Sequence, residues 1–243
     1  SNAMRRLVNT FLDRYQCDLL MLTAEGRELK TGHEIYEEYL EMYDFAESSY
    51  RVKEMVLSEG KIRISCPQIE GLPDEQIQGK WNRIFLGAEE RAMDEWEADG
   101  SYEVSYEVKT MTRDVLSILM NGFYYGEDAA HPYSFKYTYN IDLNTGESIR
   151  LADHVDVEKT AENLFAGTGY YVEESLAPHF AERLKVIYDS PEALARSLAG
   201  YDYSEDESAP YGYSYIRDGR VWLCMEVPHA LGDYIEIELD VPV

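Results

Sequence analysis

The chain has 243 residues, 47 of them acidic and 22 basic, for a formal net charge of −25. So strong a polyanion repels nucleic acid and anionic membrane surfaces and attracts cationic partners. Its hydrophobic content of 45% suffices for a buried core, and its length suits one large domain with or without an extension.

Residues 1–3 (SNA) read as an expression scar. Residues 4–48 read as a mostly helical N-terminal extension. It opens with Arg5-Arg6 as a signal peptide does, but Asp13, Arg14 and Asp18 interrupt the apolar run. No stretch reaches the roughly 18 uninterrupted apolar residues of a membrane helix. In residues 33–45, Ile35, Tyr39, Leu40, Met42 and Tyr43 lie near one side. Glu34, Glu37, Glu38, Glu41 and Asp44 take much of the rest.

Residues 49–243 read as one domain, with an N-terminal part 49–130 and a C-terminal part 131–243. Strands are expected at 50–57 and 61–66 around Ser58-Glu59-Gly60, with Pro67 ending the second. Asp74 is placed to cap a helix over 75–98. Ile77, Trp81, Ile84, Phe85, Ala88, Ala92 and Trp96 recur every three or four residues and give it an apolar face. Glu89, Glu90, Asp94, Glu95 and Glu97 are read as lying mostly off that stripe.

Strands then dominate, at 102–109, 114–125 and 133–142. In the third, Tyr133, Phe135, Tyr137, Tyr139 and Ile141 alternate with Ser134, Lys136, Thr138, Asn140 and Asp142. This period of two predicts an antiparallel sheet with one covered face, its cover being the helix that carries Trp81 and Trp96. DLNTG (142–146) is a tight reversal, followed by a short strand at 148–151. Helices are expected at 157–165, 172–188 and 190–200, the last capped by Ser190 with Pro191 in its first turn. A hairpin at 211–227 turns on Asp218-Gly219, and a last strand spans 234–241. Strands grouped apart from helices make the class α+β: an antiparallel sheet covered on one face by a long amphipathic helix, with further helices between the central and C-terminal strands.

Tests for chemistry mostly fail. Gly79-Lys80 resembles the end of a phosphate-binding loop, but Asp74 stands where its first glycine belongs, and neither GxGxxG nor GxSxG occurs. The five histidines form no HxH or HExxH, and the His33/Glu37 pair is what an acidic helix produces by chance. Asp142, Asn144 and Gly146 echo part of a calcium loop, yet the glycine comes one position early and Asp153 replaces the closing glutamate. Asp153 beside His154 reads as a helix cap. Cys17, Cys66 and Cys224 form no CxxC; one disulfide with a spare thiol stays open beside three buried small hydrophobes. No metal and no cofactor are expected, and no catalytic residue is assigned.

Recognition residues are more visible. Pro132 pushes His131 toward extended backbone, so His131 either shapes the start of the strand or faces a ligand. The chain has 21 tyrosines, a side chain suited both to half-buried sheet faces and to recognition surfaces. In YDYSEDESAPYG (201–212), Tyr201, Tyr203 and Tyr211 stand with Glu205 and Asp206 as a candidate receptor for a basic protein, and Tyr125 joins them as a ligand-binding candidate.

Three stretches taken together resemble a known family: ISCPQIEGLPDEQIQGKWN (64–82), YYGEDAAHPYSFKYTYNIDLNTGESIRLADHV (124–155) and DGRVWLCMEVPHALGDYIEIELDVP (218–242). They resemble the domain of unknown function found outside the membrane in RsiV-type anti-sigma factors and ahead of the catalytic part of PdaC-type peptidoglycan deacetylases. The likeness spans about residues 50–243. Tyr125, Gly126, His131 and Pro132 match the central motif, and Asp142, Thr145 and Gly146 match the turn. Ala129-Ala130 stands where a second glycine is usual, and residues 4–48 have no counterpart. The resemblance implies a non-catalytic sensing or binding domain of the cell envelope, whose partner is a basic protein such as lysozyme or a peptidoglycan-related ligand. Two alternatives stay open: a cell-wall hydrolase using carboxylates about 5–9.5 Å apart, and a cytoplasmic interaction protein of the same fold. Location accordingly stays open between extracytoplasmic, with an export signal ahead of Met4, and cytoplasmic.

Overall fold

The computed structural model describes residues 21–22, 29–30, 41, 49–95, 100–126, 132–204, 213–227 and 233–242, with backbone only at 21–22, 29–30, 90–95 and 242. The chain divides into two compact units, Ser1–Ser48 and Ser49–Val243. In the first, β1 (Met21–Leu22) pairs antiparallel with β2 (Leu29–Lys30), a strand pair in a stretch expected to be mostly helical. Apart from a helical Glu41, the rest of that expectation lies outside the described residues.

The second unit runs β3 (Arg51–Glu59), β4 (Ile62–Glu70), α1 (Glu75–Glu95), β5 (Gly100–Met111), β6 (Val115–Gly126) and β7 (Tyr133–Asp142). It continues through α2 (Leu151–His154), α3 (Val157–Ala166), β8 (Tyr170–Tyr171), α4 (Ala177–Ile187), α5 (Pro191–Ala199), β9 (Tyr213–Arg217), β10 (Arg220–Glu226) and β11 (Tyr234–Pro242). One sheet has the order β3-β4-β5-β6-β7 and a second has β8-β11-β10-β9. The α+β class holds, with one parallel pair that the sequence did not suggest: β4 and β5 at residues 62–64 and 102–104. Parallel neighbours need a crossover, and α1 is that crossover, which obliges it to lie across a face of the sheet.

Local chemistry sets α1 in place. Asp74 Oδ1 accepts from the backbone N–H groups of Gln76 (2.8 Å) and Ile77 (3.1 Å), as a capping residue does. Trp81 and Phe85 are fully buried against the sheet, where Phe85 meets Tyr139 edge-on at 5.0 Å. The DLNTG turn is the docking point of this helix. Asp142 Oδ1 accepts from Asn144 N–H at 2.8 Å, and Trp81 Nε1 donates to Gly146 O at 3.0 Å. Gly146 has φ of +74°, and a Cβ there would lie 2.9 Å from Ile77 Cγ1. Both a left-handed backbone and a close approach therefore require glycine.

Pro67 does not end its strand; β4 runs on to Glu70, with Pro67 opposite Glu54. Past Ile64, β5 no longer pairs with β4. Ile69 N–H and C=O turn to that free edge, where the Asn82 amide meets them at 2.7 and 2.9 Å. By alternation residue 67 points the same way, so its missing N–H removes no ladder bond.

Glu89 also departs from expectation. It stands four residues after Phe85 on the covered face and is 1% exposed. One carboxylate oxygen accepts from Tyr137 Oη, the other is buried without a partner among the described residues, and burial raises its pKa. Trp96 lies outside the described residues.

The polar side of β7 is the larger surprise, because β9 packs across it. Thr110 Oγ1 donates to Ile216 O (2.7 Å), and Ile216 N–H donates to Ser117 Oγ (3.0 Å). Ser117 Oγ donates to Asn140 Oδ1 (2.7 Å), and Asn140 Nδ2 donates to Ser214 O (2.9 Å). Beyond this seam, β10 and β11 turn Leu223, Met225, Ile235, Ile237 and Leu239 toward α3, α4 and α5, which supply Leu164, Phe180, Leu184, Leu194 and Leu198. The Ser190 cap and Pro191 in the first turn of α5 are as expected; Asp153 caps α2 from within, accepting from the Arg150 N–H at 2.7 Å, and Asp156, which the sequence did not single out, caps α3.

Gly122 sits opposite Phe135, and a Cβ there would fall 2.0 Å from the Phe135 ring. That ring is stacked against Tyr102 at 5.4 Å and Tyr137 at 6.3 Å, so it has little room to retreat. Gly122→Ala is expected to cost about 1–3 kcal/mol by overpacking. Urea denaturation checks this; an unchanged midpoint would mean the aromatic row is loose.

Candidate functional site

The outer face of the five-stranded sheet, opposite α1, is covered by β9 over only part of its length. Strand register places four side chains in one row across the rest: Arg63 pairs with Glu103, Glu103 with Phe123, and Phe123 with Ser134. With strands about 4.8 Å apart, the row spans roughly 14 Å. The next row toward β9 contains Ser105, Asn121 and Lys136. On the other side Tyr125 stands opposite Ser101, two residues along β6 from Phe123 and on the same face. Most of these side chains line an open cleft of about 420 Å³.

The inner row is tied down. Asn121 Nδ2 donates to Glu107 Oε1 at 3.0 Å, and Lys109 holds Glu107 from the other side at 2.9 Å. The Lys109 contact is the main reason the Glu107 carboxyl lies below its ordinary pKa. Lys136 pairs with Glu236, which also accepts from Tyr215 Oη at 2.7 Å. Burial raises the Glu236 pKa, but these two donors outweigh it and leave the group below its usual value. The outer row is uncommitted. Among the described residues, the side chains of Arg63 and Glu103, and of Ser105 in the inner row, make no hydrogen bond or ion pair, and Phe123 and Tyr125 are 41% and 45% exposed. The result is a rigid strand-borne surface that offers donors, acceptors and two aromatic rings.

Of the residues expected to meet a ligand, Tyr125 belongs to this face. Tyr201 does not: it is 1% exposed in the core beneath α5, and burial carries its pKa well up. Tyr203 is half-buried, edge-on to Trp81 at 5.7 Å and tilted against Tyr139 at 5.6 Å, where it seals the helix-covered side. His131, Glu205, Asp206 and Tyr211 lie outside the described residues.

Asp202 is the reason Tyr201 turns inward. It is 2% exposed with φ of 76°, and its carboxylate receives four donors. Thr138 Oγ1 (3.2 Å) and Ser214 N–H reach one oxygen; Leu151 N–H (2.8 Å) and Ser214 Oγ reach the other. Burial pushes its pKa up to about 6, and the four donors restrain the rise. Nothing in an acidic, serine-rich loop marks this aspartate as buried. The cleft row was not legible in the sequence either, because no local signal places β4 beside β5.

Cys66 and Cys224 are buried thiols, packed as small hydrophobes are; Cys17 lies outside the described residues. Among the described residues, no three or more His, Cys, Asp or Glu side chains are grouped to hold a metal, and no helix is long and apolar enough to cross a membrane.

No family model matches the sequence, and no curated protein matches it. Among solved structures, the chain is similar to a DUF3298 family member from Bacteroides fragilis, with a TM-score of 0.47, 13% identity, and coverage of 79% of this chain and 89% of that one. It is also similar to a DUF3298 family protein from Pseudomonas aeruginosa, with a TM-score of 0.43, 15% identity, and coverage of 79% and 88%.

Proposed function

We propose that this chain is a non-catalytic binding or sensing domain that works outside the cytoplasm, on a cationic protein such as lysozyme or on a cell-wall component. The observation that carries this reading is the cross-strand row Arg63–Glu103–Phe123–Ser134, with its uncommitted charges and exposed ring on a rigid sheet. Recognition residues on strands keep their geometry without a ligand, so little ordering cost is left to the binding step. The net charge of −25 adds long-range attraction for a basic partner.

Calorimetry against lysozyme at about 25 mM and about 250 mM NaCl tests the cationic arm, since exposed charges are screened within about 10 Å at 0.1 M. Affinity is expected to fall at least about tenfold between the two salt concentrations. No heat at either concentration removes lysozyme as a partner, and salt-independent binding removes the electrostatic account. Pulldown with insoluble cell-wall material tests the other arm.

A further inference from the structure

We infer that the uncommitted row on the outer sheet face is a binding site for a short uncharged oligosaccharide. This rests on reading that face as a binding surface, and it names the ligand class. Arg63 and Glu103 are cross-strand neighbours on one face, yet they make no ion pair with each other or with another described residue. A small cation confined to the row meets Arg63, and a small anion meets Glu103. A neutral polyol meets no such repulsion. Guanidinium groups only donate hydrogen bonds and ionised carboxylates only accept them, whereas a hydroxyl does both. Adjacent sugar hydroxyls therefore satisfy Arg63 and Glu103 at once.

The rest of the face continues the match. Ser105 and Ser134 offer hydroxyls, and Asn121 has its amide nitrogen engaged by Glu107 while its carbonyl oxygen stays free to accept. Phe123 and Tyr125 project from the same face of β6 about 7 Å apart, suited to the apolar C–H faces of neighbouring sugar rings. The row of roughly 14 Å has room for roughly two or three rings. A protein-docking surface of this size carries a contiguous apolar centre ringed by polar groups. Here only two rings, both on β6, interrupt the polar groups, with Glu103 and Ser134 on either side of Phe123, and the mixed polar and C–H faces of a sugar match that alternation.

The test is a titration of the whole chain with the neutral trisaccharides chitotriose and cellotriose, followed by calorimetry and amide chemical shifts. Binding by at least one sugar is expected at about 1 mM or tighter, with shifts centred on residues 63, 103, 123 and 125 and little change between about 25 mM and about 250 mM NaCl. Phe123→Ala and Arg63→Met are each expected to weaken it about tenfold. Both side chains are away from the core, and equal urea midpoints establish that the variants fold. Absence of binding by either sugar at about 20 mM, or shifts confined to other surfaces, overturns the inference. If the sugars fail while lysozyme binds and Phe123→Ala weakens that binding, the face is a protein dock: the saccharide falls and the binding-domain reading stands. If sugars, lysozyme and cell-wall material all fail to bind, both readings fall.

Discussion

Trp81→Ala is expected to destabilise the unit from Ser49 to Val243 by about 3–5 kcal/mol, the range for truncating a large buried aromatic. Trp81 has 0% exposure and sits among Phe85, Tyr139 and Tyr203 at 5.9, 6.2 and 5.7 Å. No small motion of α1 refills that space, because Asp74 caps the helix start and Ile77 is already against Gly146. Trp81→Phe keeps most of the volume and loses the N–H donated to Gly146 O, so it separates packing from hydrogen bonding at about 1–2 kcal/mol. Urea denaturation followed by circular dichroism measures both. A loss below about 1 kcal/mol for the alanine variant would show that α1 does not hold the sheet.

Asp202→Ala is expected to cost about 3–4 kcal/mol at neutral pH. It strands four donors from β7, β9 and the start of α2, at about 1–3 kcal/mol for each buried unsatisfied group, partly offset by relief of a buried charge. Asp202 also holds a left-handed backbone, φ 76°, which aspartate adopts more readily than alanine. The same residue has a pH signature. Its folded pKa of about 6 lies above the ordinary 3.8, so the folded state binds the proton more tightly than the unfolded chain. That contribution is fully present below about 3.8 and is lost as pH rises through about 6, an effect of roughly 3 kcal/mol. Glu70 and Asp114, whose pKa values are lowered by Lys53 and Arg113 respectively, work in the opposite direction. The measurement is therefore the stability of the native chain minus that of Asp202→Asn from pH 4 to pH 7. The difference is expected to shrink with rising pH, and a flat difference would mean that Asp202 is ionised throughout.

Neither expected effect rests on the candidate site, and that division is physical. The core of a sheet and its covering helix are written in periodicity. Tyr133 to Ile141 alternate, Ile77, Trp81 and Phe85 recur every four residues, and Asp74 and Ser190 stand where helix N–H groups need acceptors. Glu89 was within reach of the same rule, because 81, 85 and 89 continue one line; its charge argued against burial, and Tyr137 is the partner that makes burial tolerable. Tyr201 was not within reach, since the loop that holds it is acidic and serine-rich, as exposed loops are.

By itself, then, the sequence determined the α+β class, most strand and helix spans from β3 to β11 to within a few residues, the covering of β7 by α1, and the turn at 142–146; it did not reveal β8 or α2, and the strand expected at 148–151 is a single bridge at Ser148. Tertiary structure alone decided that Thr138 and Asn140 face β9 rather than water, that Asp202 is a buried knot, and that Arg63, Glu103, Phe123 and Ser134 form one row. The reason is range. Periodicity reports on neighbours a few residues apart, whereas the bonds from Thr138 to Asp202 and from Thr110 to Ile216 O close over 64 and 106 residues. A polar side chain reads the same in sequence whether water or a distant strand completes its hydrogen bonds.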